Sequence, residues 1–65
     1  MTLFINGEPA EHQVSTVAEL VASLSLPGPT LLIEHNGTAL RRDEWGDIGL
    51  GEGDKLEILR IAAGG

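Results

Sequence analysis

The sequence contains no cysteine and no tyrosine, one tryptophan, one phenylalanine, and four basic residues against ten acidic ones. Each shortage excludes something. Without cysteine there are no disulfides and no thiolate metal site, so 65 residues must be held by a hydrophobic core alone. That length lies near the lower limit for unstapled folding and allows a single domain, residues 1–65. A net charge of −6 disfavours nucleic acid and anionic lipid, whose phosphates require Lys and Arg. It favours solubility and steering toward a basic partner groove. No uninterrupted apolar run approaches the roughly 20 residues of a membrane span. The N-terminal residues Met1 to Glu8 have no basic flank and meet an acid too early for a secretion signal. A cytoplasmic protein, monomeric when alone, is the expectation.

What is present is a globular composition, 42% apolar and 22% charged, with clear local signals. Thr2 to Asn6 alternates as a strand, with Leu3 and Ile5 on one face and Phe4 on the other. Asn6-Gly7 is a hairpin turn, because both residues tolerate positive φ, and the turn geometry accounts for the pair. A weaker strand is expected over Ala10 to Val14, with Pro9 just outside its pairing. Thr16-Val17-Ala18-Glu19 has capping-box spacing, and Val17, Leu20, Val21 and Leu24 form one helical stripe. Pro27-Gly28-Pro29 should end that helix. Leu31 to His35 reads as a strand, and Asn36-Gly37 turns it into a short strand, Thr38 to Leu40. Arg41 to Asp47 reads as polar and irregular around Trp45, and Lys55 to Ile61 as the last strand.

One amphipathic helix and four or five strands make a two-layer α+β domain with a mixed sheet. If the helix crosses one face, the last strand lies beside the first and parallel to it, which is the β-grasp or ubiquitin-like arrangement. The expected core is Leu3, Ile5, Val17, Leu20, Val21, Leu24, Ile33, Leu56 and Ile58. The opposite sheet face then carries Phe4, Leu32, Leu59 and Ile61, a candidate docking patch for a partner. Ala63-Gly64-Gly65 follows the last strand, and glycines there make a tail thin enough to enter a narrow slot.

Catalytic chemistry is not indicated. His12 and His35 lack paired-ligand spacing, so no metal site is expected. Asp43 and Glu44 are adjacent, yet with Arg41 and Arg42 they read as a solvated charged loop, and no nucleophile or phosphate cradle accompanies them. Trp45 reads as packing beneath the loop before the last strand, with a binding hot spot as the competing role. Asp54 reads as a turn former.

The chain resembles the ubiquitin-like sulfur carriers, most closely the thiamine-biosynthesis branch (ThiS). The resemblance rests on Ile5-Asn6-Gly7-Glu8, Thr16-Val17, Arg41-Arg42-Asp43-Glu44-Trp45, Gly53-Asp54-Lys55-Leu56-Glu57-Ile58 and Ala63-Gly64-Gly65. His35 departs from it, standing where the family usually has an aliphatic residue. The resemblance implies that an E1-like adenylating enzyme, using Mg-ATP, activates the carboxylate of Gly65. Sulfur from a sulfurtransferase or cysteine desulfurase then gives a thiocarboxylate, which donates to thiazole synthase. Ala63 and Gly64 would thread the tail, and no cofactor is bound by the carrier itself. A carrier for another pathway such as molybdopterin synthesis, a ubiquitin-like modifier, and a plain interaction domain share these features.

Overall fold

The computed structural model describes residues 1–26 and 30–61. Over these the order is β1 (Thr2–Ile5), β2 (Glu8–Glu11), α1 (Val17–Leu24), β3 (Leu31–His35), β4 (Thr38–Leu40), a 3-10 helix (Arg42–Asp47) and β5 (Lys55–Arg60). The strands form a mixed sheet in the order β2-β1-β5-β3-β4. β1 and β5 run parallel, whereas β1 with β2, β3 with β4, and β3 with β5 are antiparallel. Parallel neighbours cannot be joined by a tight turn, and here α1, β3 and β4 intervene between them. This is the β-grasp arrangement.

Both hairpins turn on Asn-Gly pairs in the left-handed region, with φ of 52° and 85° at Asn6 and Gly7 and 49° and 87° at Asn36 and Gly37. Two positive φ values in a two-residue loop match the twist of the flanking strands. The loop sets the register, placing Ile5 opposite Glu8 and Phe4 opposite Pro9. The second strand therefore starts earlier than expected, at Glu8, and includes Pro9. Because the pair flanking a two-residue turn is the hydrogen-bonded one, Phe4 and Pro9 form a non-hydrogen-bonded pair, and the missing proline N–H is not needed on this edge.

Helix α1 begins where expected. Thr16 caps it by accepting a hydrogen bond from Glu19 N, while Glu19 Oε1 accepts from Ser15 N one residue further out. It ends at Ser25, in the left-handed region at φ 57°, whose N–H bonds back to Ala22 O. Pro27-Gly28-Pro29, the expected stop, lies outside the described residues. Arg42–Asp47 forms a 3-10 helix where the polar composition suggested irregular chain. Arg41 N donates to Glu44 Oε1 at 2.6 Å to cap it, and the helix packs on α1.

The core comprises Leu3, Val17, Leu20, Val21, Leu31, Ile33, Trp45, Leu56 and Ile58. Ile5 and Leu24, expected inside, are only partly covered. They border a shallow depression of about 190 Å³, and no side chain among the described residues closes over them. Trp45 is buried, and its indole N–H meets no acceptor among the described residues. An orphaned donor costs about 1–3 kcal/mol. Burying an indole removes about 150–250 Å² from water, worth roughly 4–6 kcal/mol at about 25 cal/mol per Å², so packing wins. Trp45 is core and presents no surface for a hot spot.

Asn6 does more than turn the chain. Its side-chain amide accepts from Ile58 N at 2.7 Å and donates to Ile58 O at 3.1 Å, while its backbone N–H donates to Leu56 O. Asn36 holds the other side of β5, accepting from Lys55 N through Oδ1 at 2.8 Å. We predict that Asn6→Ala costs roughly 2–4 kcal/mol in urea unfolding, since it removes two partly buried hydrogen bonds and a residue suited to positive φ. Asn36→Ala, with one exposed bond to that strand, should cost less. Equal losses would show that the turn conformation alone matters.

Candidate functional site

The sheet face away from α1 is set by the alternation of β3 and β5. Leu31, Ile33, Leu56 and Ile58 point into the core, so Leu32, Glu34, Glu57 and Leu59 point out. The antiparallel register puts Leu32 directly opposite Leu59 and Glu34 opposite Glu57. The ladder continues past β5, with Ile61 N donating to Thr30 O at 2.7 Å. Leu32, Leu59 and Ile61 are 54%, 57% and 48% exposed, large apolar side chains held in water at the end of the sheet. Beyond Ile58, β5 is paired with β3 alone, because β1 has turned away at Asn6. Ala63, Gly64 and Gly65, the expected tail, lie outside the described residues.

Phe4 does not join this group. It sits beside Lys55, and Leu59 is four residues further along β5, roughly 13 Å away along the strand. Glu57 projects between them on the same face. Phe4 is also half-buried, facing Pro9 across the hairpin. The expectation of one contiguous patch of four is corrected to Leu32, Leu59 and Ile61 near the end of β5, with Phe4 apart. The parallel register of β1 and β5, which a one-strand count does not supply, is the reason. Glu34 and Glu57 went unremarked in the sequence, although the alternation that turns Leu32 and Leu59 outward turns them outward as well.

The other end of β5 is polar. His35, opposite Leu56, meets Asp54 with Nε2 and Oδ2 at 2.8 Å, both side chains about four-fifths covered. Asp54 Oδ2 also accepts from Gly51 N at 2.9 Å, which closes the turn into β5. The hydrogen bond from His35 chiefly holds the Asp54 carboxyl below its ordinary value. Partial burial opposes that shift, and Gly51 and Asn36 assist it. His35 is thus partly covered, as expected, but it stands on an interior strand, paired with Thr38 on one side and Leu56 on the other. Asp54 is a turn former with a partner that lies 19 positions away in sequence. Arg41 and Asp43 form an exposed ion pair at 3.3 Å, consistent with a solvated charged segment. Among the described residues no three His, Asp or Glu side chains gather as a metal site. No helix among the described residues is long and apolar enough to cross a membrane.

Comparison with known proteins gives concordant matches. The model of the ThiS family matches residues 3–65. The crystal structure of a thiamine biosynthesis protein (ThiS) from Geobacter metallireducens superposes with a TM-score of 0.86 at 29% identity, covering all of both chains. A solution structure of a thiamine biosynthesis protein from the same organism gives 0.81 at 29% identity, over all of this chain and 88% of that one. A thiazole synthase of Paramagnetospirillum magneticum is 32% identical over 66 residues. This chain spans 20% of that relative's length.

The lowered Asp54 carboxyl has a consequence for stability. A group whose folded pKa is depressed stabilises above its unfolded value, about 3.9, and loses that contribution as pH falls through the folded value. We predict that the wild-type urea midpoint falls more steeply below about pH 4 than that of Asp54→Asn. Matching slopes from pH 6 to pH 2 would show that the His35–Asp54 contact carries no net stability.

Proposed function

This chain belongs to the ThiS family, and on that premise we propose that it is the sulfur carrier of thiamine (thiazole) biosynthesis, with Gly65 as the residue whose carboxyl group carries the sulfur. The observation that carries the reading is a family match running through the Gly64-Gly65 tail, on a fold whose central strand leads toward that tail beside an exposed apolar cluster. The thiazole synthase relative that contains a segment like this chain supports the same pathway.

The chemistry follows from what a carboxylate lacks. With a pKa near 3.5 a terminal carboxylate is ionised at neutral pH and resists nucleophiles. An E1-like enzyme with Mg-ATP converts it to an acyl-adenylate, releasing pyrophosphate. The outer sulfur of a persulfide on a sulfurtransferase or cysteine desulfurase then displaces AMP to give an acyl disulfide. A thiol cleaves its S–S bond, leaving a disulfide behind and releasing the thiocarboxylate, the nucleophile that thiazole synthase uses. The carrier catalyses none of these steps and holds no cofactor. Its contribution is to present a thin tail to buried reaction centres of successive partners in the cytoplasm. Gly64 and Ala63 suit such a channel because they add little or no side chain. Leu32, Leu59 and Ile61 dock the carrier, and Phe4 contributes only where a partner extends across Glu57.

The test is intact mass after incubation with Mg-ATP, a sulfide source and the cognate adenylating enzyme. One oxygen should be exchanged for sulfur, located at Gly65 by fragmentation. Deleting Gly65 should abolish the product, because it withdraws the carboxyl group by about 3.5 Å and misplaces it for attack. Leu59→Ala should weaken docking by about 1–3 kcal/mol with little change in melting temperature. An unchanged mass for the wild-type chain would refute the carrier reading.

A further inference from the structure

The outer sheet face holds one pair that the stability of the free domain does not explain. Glu34 and Glu57 stand directly opposite one another on β3 and β5, and both are exposed. Side chains so placed have Cβ atoms about 4.5–5.5 Å apart, and like charges there destabilise a sheet. Neither carboxylate has a hydrogen bond or ion pair among the described residues. Lys55 shares their face two residues before Glu57, yet bonds to neither. The next outward pair along both strands is Leu32 and Leu59, and Ile61 follows. The face therefore passes from a doubly anionic pair to an apolar cluster in one step of about 7 Å. Glu57 and Lys55 together line two shallow depressions, one of about 540 Å³ bordered also by Glu34 and Asn36, the other of about 460 Å³ bordered also by Phe4 and Gly7.

We infer that the enzyme which adenylates the tail seats a basic side chain between Glu34 and Glu57 while its apolar side chains cover Leu32, Leu59 and Ile61. On the carrier reading above, on which this rests, that enzyme is the first partner the tail must meet, because activation of the carboxylate precedes every later use of it. Two carboxylates at this spacing repel one another in the free chain and both bond to one cation in the complex. The repulsion lost on binding therefore adds to the attraction gained. Arginine's planar fork of donors reaches two acceptors at once, which a compact ammonium does less well. The adjoining apolar contacts exclude water, so the charged bonds act in a lower dielectric than at an open surface. A net charge of −6 steers the carrier toward such a basic site before contact.

The experiment measures affinity of the full chain for the purified cognate adenylating enzyme at low and high salt. Glu34→Gln/Glu57→Gln should bind about tenfold or more weakly at low salt, the scale of losing a hydrogen bond to a charged group. The gap should narrow as salt rises. The variant's melting temperature should equal or exceed wild type, because a repulsion has been removed, which separates this effect from misfolding. Wild-type affinity and salt dependence in the variant overturn the inference. If Leu59→Ala weakens binding while the glutamine variant does not, docking on this face stands and the charge contact falls. If wild-type tail is never converted to thiocarboxylate, the carrier reading beneath the inference has failed instead.

Discussion

The structure depends on how β5 is held. It is the middle strand of the sheet, so its direction and register place both the core and the exposed apolar cluster. On one side β1 pairs with it over only two residues, Phe4 with Lys55 and Ile5 with Leu56, before the chain turns back. The Asn6 side chain then extends the ladder to Ile58 by imitating a backbone amide. On the other side β3 pairs with it over five residues, and Asn36 adds a bond to Lys55. Two hairpin turns therefore do two jobs each. They reverse the chain, and they clamp a strand distant from them in sequence.

That clamp divides β5 into ends of different character. Near Lys55 the strand is fixed by polar contacts, with Asp54 bound by His35 and by the Gly51 amide. Roughly 20 Å further along, at Ile61, the neighbours are Leu59 and Leu32, and about half of each of these side chains stays exposed. A domain of this size has little stability to spare. Polar fixation at one end leaves the other free to keep apolar side chains in water, the cluster on which the proposed docking rests.

Charge follows the same division of labour. The acids greatly outnumber the bases, and the exposed Arg41–Asp43 pair contributes little to stability because water and salt screen it. The opposed glutamates oppose folding slightly, a repulsion that the proposed complex would relieve. A surface tuned only for solubility would scatter its charges. Here two of the same sign share one cross-strand site beside the apolar cluster.

The sequence alone determined the order of the strands and the main helix, though not the 3-10 helix, because hairpin turns, a capped amphipathic helix and period-two strands are local properties of neighbouring residues. Asn-Gly needs only its own backbone preference, and Thr16 with Glu19 needs only the first turn of a helix. Most of the core was legible for the same reason, since alternation in β3 and β5 and the helical stripe each divide inside from outside. Only the tertiary structure decided at which level the neighbouring strands pair. The parallel register of β1 and β5 set Phe4 apart from Leu59, and the antiparallel register of β3 and β5 set Glu34 against Glu57. The second role of Asn6, the His35–Asp54 contact and the partial exposure of Ile5 and Leu24 arise between residues far apart in the chain. No local pattern carries such information, because it depends on loop closure and packing that only the whole fold completes.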